Sequence, residues 1–144
     1  MWAAAFLDGE GCISLNHHKS LVTLQIEIHS TDEWICWWYQ MNFGGSVGRE
    51  SKRMSGNGTK LKPQWYWEIS CQKARRFLKA ILPYLLLKNS QAELAIRFQD
   101  AKQGRQGKRL TLEEKTLEEN QFFLMRELKQ QKRLGCPTKE ELMT

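Results

Sequence analysis

The sequence predicts a single α+β domain built on a curved antiparallel sheet with helices on one face. Three observations lead there. Residues 13–18, 22–29 and 64–70 alternate between apolar and polar side chains, as half-buried strands do. Three Ser/Thr-x-x-Glu pairs (Ser30/Glu33, Ser90/Glu93, Thr111/Glu114) have the form of capping boxes, and each stands at the head of a helix-like segment. Glycine or proline punctuates the segments between, as at Gly44–Gly45, Pro83 and Gly104.

Taken in order, Ala3, Ala4 and Ala5 followed by Phe6 and Leu7 predict a short helix, with Gly9 as its stop. Two strands follow, turning near residues 18–20. Ile13 and Leu15, then Val22, Leu24, Ile26 and Ile28, form the apolar face, with Ser14, Asn16, His18, Thr23, Gln25, Glu27 and His29 opposite. A second helix is expected over "EWICWWYQMNF", ended by the paired glycines, with its tryptophans Trp34, Trp37 and Trp38 in the core. "GSVGRES" reads as a third strand and "QWYWEIS" as a fourth, with Gln64, Tyr66 and Glu68 on the polar face and Trp65, Trp67 and Ile69 on the other. Arg49 is assigned to the polar face, a register that one residue of slip would invert. The connection "SKRMSGNGTKLKP" carries Lys52, Arg53, Lys60 and Lys62 and no acid. A third helix is predicted over residues 72–82 and a fourth over 91–103. A basic linker follows, then a long helix to about residue 133, whose Leu117, Leu124 and Leu128 face inward. Gly135–Cys136–Pro137 stops it, and Thr138 with Glu141 suggests a last turn. The order is αββαββα over residues 1–103, with 104–144 a helical extension of the same domain.

Composition narrows the function. Lys and Arg outnumber Asp and Glu by 22 to 16, and the pI of about 9.3 suits an anionic partner such as nucleic acid. No apolar run approaches a membrane span. Four cysteines and three histidines show no zinc spacing, and with no leader-like start the expected setting is intracellular and reducing.

The chemistry is concentrated in "AAAFLDGEG", residues 3–11, where Asp8 and Glu10 end a helix that feeds the first strand. Negative charge is disfavoured there by the helix dipole, so a metal ion or a neighbouring Lys or Arg is required. This stretch resembles the signature of the LAGLIDADG homing endonucleases. "HSTDEWICWWYQMNFGGSV" resembles that family's second helix and its glycine-rich exit, and "ARRFLKAILPYLLLKNSQAELAI" resembles its later segment. The three matches occur in order over residues 2–100.

The resemblance implies an αββαββα homing-endonuclease fold and a site-specific, double-strand DNA endonuclease. It implies Glu10 as metal ligand, with the Gly9 carbonyl contributing, and Lys88 as an active-site lysine that stabilises phosphate charge. Mg2+ or Mn2+ is the implied cofactor, since oxygen ligands and retained waters suit such ions. A single motif implies a homodimer whose motif helices cross closely through their small residues, acting on a long pseudo-palindromic site. Ala4, Ala5, Asp8 and Gly11 are its structural residues, Asp8 in turn geometry or across the dimer. Ile28 and Asp32 depart from one branch of the family, which has a glutamine and an arginine there; His29 and Gln25 are neighbouring substitutes. The polar faces and basic loop named above are the expected DNA surface: Asn and Gln suit adenine, Arg guanine and Glu cytosine, while Lys52, Arg53, Lys60 and Lys62 contact phosphate. Two rival readings remain: an RNA maturase that assists intron splicing, and a nuclease-dead DNA-binding regulator.

Overall fold

A computed structural model describes residues 1–105, 107–134 and 143. The elements run α1 (Trp2–Glu10), β1 (Gly11–His18), β2 (Leu21–Ser30), α2 (Glu33–Phe43), β3 (Ser46–Glu50), β4 (Gln64–Ser70), α3 (Cys71–Ile81), α4 (Asn89–Ala101) and α5 (Leu112–Leu134), with a 3-10 turn at Leu82–Tyr84 after α3. All strand pairs are antiparallel, in the order β1-β2-β4-β3. The α+β architecture expected from the sequence is present. Helix dimensions in the sequence reading hold within a residue or two, and the stop and last turn expected over residues 135–141 lie outside the described residues.

The alternating residues of the strands divide the sheet into two chemically distinct faces. Ile13, Leu24, Ile26, Ile28 and Trp67 are fully enclosed beneath the helices, together with Leu7, Tyr39, Leu78 and Phe98. Tyr39 shows how closely the motif helix is held: its hydroxyl donates to the Ala3 carbonyl at 2.8 Å, and burial pushes its phenol pKa well up. Ala3 and Ala4 are buried in this core, leaving Ala5 and Gly9 on the outer side of α1. The open helix face is therefore narrower than three exposed alanines would make it.

Local signals were overridden in several places. Gly9 does not stop α1; the helix runs on to Glu10 and ends at Gly11, which is already extended (φ −91°, ψ 167°). A Cβ on Gly11 would collide with the Leu7 side chain, so the direct passage from helix to strand needs glycine there. Ser30 does not cap α2, because β2 still pairs it with Trp65. Asp32 caps instead, accepting from the Trp34 N–H at 3.1 Å, while Ser30 Oγ accepts from the Asp32 N–H. Ser90 does not cap α4, since the helix starts one residue earlier, after Lys88. The third box forms reciprocally: Thr111 N–H donates to Glu114 Oε2 at 2.9 Å, and Glu114 N–H to Thr111 Oγ1 at 3.3 Å.

Two side-chain placements also differ from the sequence reading. The inward side of α2 is taken by Cys36 and Tyr39, so Trp34 and Trp37 turn outward at 59% and 40% exposure. On α5, Met125 and Glu118 point inward with Phe122 and Leu128, and Leu117 and Leu124 are exposed. That helix runs beside edge strand β1: Phe122 meets the His17 ring at 5.9 Å, and Lys129 Nζ donates to Cys12 Sγ at 3.3 Å. Covering the edge blocks unwanted strand pairing there.

Candidate nucleic-acid interface and metal site

The motif helix delivers its two acids to different environments. Asp8 is buried, and its carboxylate accepts the backbone N–H of Leu86 at 2.8 Å and of Lys88 at 2.9 Å. In return, Lys88 Nζ donates to the Asp8 carbonyl. A reciprocal clamp thus joins the end of α1 to the start of α4, across 80 residues of chain. Burial raises the Asp8 pKa, but the N–H groups of Leu86, Lys88 and Leu87 and the Lys88 charge outweigh it, and the carboxyl sits below 3.8. The clamp answers the dipole conflict of the motif, since an ammonium lies against the last carbonyls of α1, where cations are favoured by ~0.3–2 kcal/mol. Asp8 thus fixes the segment that leads into α4, holding the N–H of its N-cap residue Lys88.

Glu10 is exposed beside this clamp. It lines an open cleft of ≈ 370 Å³ with Phe6, His29, Ser30, Thr31 and Gln64. The register of β1 on β2, which pairs Gly11 with Ile28, brings His29 to Glu10. His29 Nε2 lies 3.4 Å from Glu27 Oε2, while its Nδ1 is buried without a hydrogen-bond partner among the described residues. Ile28 itself is core. Ser30 and Thr31 in this cleft were not singled out from the sequence, where they read as part of a helix start.

No group of three or more His, Cys, Asp or Glu side chains that could hold a metal occurs among the described residues. The ligands expected at the motif, the Glu10 carboxylate and the Gly9 carbonyl, are both oxygen donors. Such a set fits Mg2+ or Mn2+, which accept one or two carboxylates and keep several waters, and does not fit zinc.

The polar face of the sheet is continuous across three strands. Cross-strand pairing puts Ser14 beside Gln25, Asn16 beside Thr23, Glu27 beside Glu68, and His29 beside Tyr66, with His18 and Gln64 on the same face. Its centre is a hydrogen-bonded array. Asn16 Nδ2 donates to Gln25 Oε1, and Gln25 Nε2 donates to Glu27 Oε1 at 2.6 Å and to Glu68 Oε2 at 3.0 Å. Two carboxylates directly opposite one another are unfavourable in a sheet, and the Gln25 amide lies between them.

Arg49 is a correction. It pairs with Trp65, so it lies on the opposite face, where its guanidinium is 5.5 Å from the Trp65 ring centroid. Val47 is the only strongly apolar residue in that short strand, so its alternation does not fix which face is which. Ser46, Gly48 and Glu50 occupy the polar side instead. In the connecting loop, Lys52, Lys60 and Lys62 are exposed, whereas Arg53 is tied inward, donating to the Lys62 carbonyl at 3.1 Å. The loop is ordered by a Met54–Lys60 bridge and a turn in which Gly58 N–H donates to the Ser55 carbonyl at 2.9 Å.

No family model and no curated protein sequence matches the chain. Solved structures do. The archaeal intron-encoded homing endonuclease I-Vdi141I, complexed with DNA, superposes with a TM-score of 0.68 at 11% identity, over 88% of this chain and 81% of that one. The homing endonuclease I-CvuI, in complex with a DNA target and magnesium, gives 0.56 at 22% identity, over 88% and 92%. The LAGLIDADG meganuclease I-AabMI, bound to uncleaved DNA, gives 0.64 at 18% identity, over 84% of this chain but 42% of its own. The class defined by this sheet, with its motif helix leading directly into the first strand, is that of α+β folds built on a four-stranded antiparallel sheet. In particular, the chain has the LAGLIDADG homing-endonuclease fold.

Proposed function

We propose that the protein is a site-specific, double-strand DNA endonuclease that hydrolyses phosphodiester bonds with a divalent metal, as a homodimer on a long pseudo-palindromic site. The observation that carries this reading is the position of Glu10. It stands exposed at the end of the motif helix, at the head of a polar sheet face rich in hydrogen-bonding groups. Glu10 and the Gly9 carbonyl would hold Mg2+ or Mn2+. Bound there, the cation supplies a reactive water near neutral pH and offsets the charge that builds on the phosphate. Lys88 adds positive charge at the end of α1 and fixes its direction through Asp8. His29 lines the same cleft beside Glu10 and is a neighbouring candidate to support the site. Ser14, Asn16, His18, Thr23, Gln25, Glu27, Gln64, Tyr66 and Glu68 face the base edges; Lys52, Lys60 and Lys62 meet the backbone, and Arg53 orders their loop. Cys12, Cys36 and Cys71 are free thiols, which supports a reducing intracellular setting, and no helix of the described residues is long and apolar enough to cross a membrane.

The test is cleavage of a randomised duplex library with magnesium or with chelator. Magnesium-dependent cuts at one recurrent symmetric sequence are expected. Selective binding without cutting makes the protein a regulator, and selection of structured RNA over duplex makes it a maturase.

Dimerisation is supported by the outer side of α1, where exposed Ala5 and Gly9, one helical turn apart, permit close approach of a second helix. A large charged side chain there, as in Ala5→Glu, is expected to shift the protein from dimer to monomer by at least tenfold in dissociation constant, read by sedimentation. An unchanged mass distribution would remove α1 from the interface.

A further inference from the structure

A second basic site lies at the other end of the sheet from Glu10. An open cleft of ≈ 530 Å³ is formed there by α3, the end of α4, the segment after it and α5, with Leu21 of the β1–β2 turn on its rim. Five cations line it: Arg75, Arg76, Lys102, Arg105 and Lys108; the lining includes one acid, Glu118. Three of the five are already engaged. Arg75 pairs with Asp100, Lys102 with Glu118, and Arg105 with Glu114 at 2.9 Å. Arg76 and Lys108 are exposed and have no ion pair among the described residues. The cleft also contains Gln99, which is only 4% exposed yet leaves its Oε1 without a hydrogen-bond partner among the described residues. With Arg76 and Lys108 exposed and in no ion pair among the described residues, the cleft carries positive charge that suits an oxyanion.

Its place in the fold identifies which oxyanion. Gly11 pairs with Ile28 at the Glu10 end of the first hairpin, and His18 with Leu21 at the far end. The ten residues of β2 span about 30 Å at ~3.3 Å each, roughly nine base pairs of duplex at ~3.4 Å per step. Resting on the reading of the sheet as a DNA surface, we infer that this cleft grips backbone phosphates of the duplex flanking each half-site, about nine base pairs from the cleaved bond and beyond. Its contacts are sequence-independent; they add affinity, salt dependence and register, and extend the footprint past the sheet.

The test compares the full-length wild type with an Arg76→Gln/Lys108→Gln variant on random-sequence duplexes of about 16 to about 40 base pairs, at a series of salt concentrations in calcium. Both side chains are exposed, and circular dichroism checks that the variant folds. Beyond about 18 base pairs, the variant's log Kd against log salt slope is expected to be shallower by about 1.8 per bound protomer, two phosphates at ~0.9 each. On the shortest duplex the two proteins are expected to match. Equal slopes at every length overturn the proposal, and so does a deficit already complete at 16 base pairs, which would put the cleft inside the half-site. The slopes do not require cutting, so failure of the nuclease reading is seen separately, in the library experiment.

Discussion

Glu10→Gln is expected to lower magnesium-dependent cleavage by about 10³-fold or more while leaving duplex affinity within about threefold. The substitution keeps the shape and one acceptor oxygen but removes the charge that a hard divalent ion needs from a site with so few protein ligands. Glu10 is exposed at the end of α1, and surface changes of this kind cost within about 0.5 kcal/mol of stability. The two readouts are single-turnover cleavage at saturating protein and Kd measured in calcium. If the variant cuts at the wild-type rate, the metal assignment is wrong. If affinity falls along with cleavage, Glu10 belongs to the DNA-binding surface rather than to the chemistry.

The fold was legible where the signal is local and repetitive. Val22, Leu24, Ile26 and Ile28 announce a half-buried strand whatever lies around them, and Thr111 with Glu114 caps its helix because Thr111 lies outside the sheet pairing and Glu114 can accept from it through Oε2 while Oε1 meets Arg105. The same motif at Ser30 and Ser90 was displaced: strand pairing with Trp65 holds one, and α4 begins ahead of the other, after Lys88, whose N–H Asp8 fixes. The tryptophans of α2 illustrate a different limit. Trp34, Trp37 and Trp38 cover more of the helix circumference than the core can receive, and the sequence does not say which are left out.

The site divides along the same line. Glu10 was readable because its neighbours in the chain define it. Its cleft partner His29 depends on the pairing of Gly11 with Ile28, and the clamp on Asp8 depends on a loop that returns 80 residues later. Arg49 shows the cost of a missing period: one apolar residue in five does not set a face, and the register with β4 does. The basic cleft at the far end gathers residues of α3, α4 and α5, each unremarkable in its own helix.

Removing the Asp8 carboxylate is expected to be the most destabilising single change in the motif. In Asp8→Ala, the N–H groups of Leu86 and Lys88 lose a charged acceptor in a buried place, and the Lys88 ammonium loses its countercharge. The combined cost is about 2–4 kcal/mol, or roughly 10 °C in Tm for a chain of this size. The pH dependence follows from the depressed carboxyl. Its pKa is lower in the folded protein than in the unfolded chain, so the unfolded state binds the proton more readily. The stabilisation is therefore fully present above the unfolded value, about 3.9, and is lost as pH falls through the lower folded value. Asp8→Asn keeps one acceptor oxygen but cannot titrate. Urea unfolding between pH 6 and pH 3 should show the wild type losing its advantage over this variant only below about pH 4. A constant difference over that range would mean that Asp8 holds α4 by shape alone.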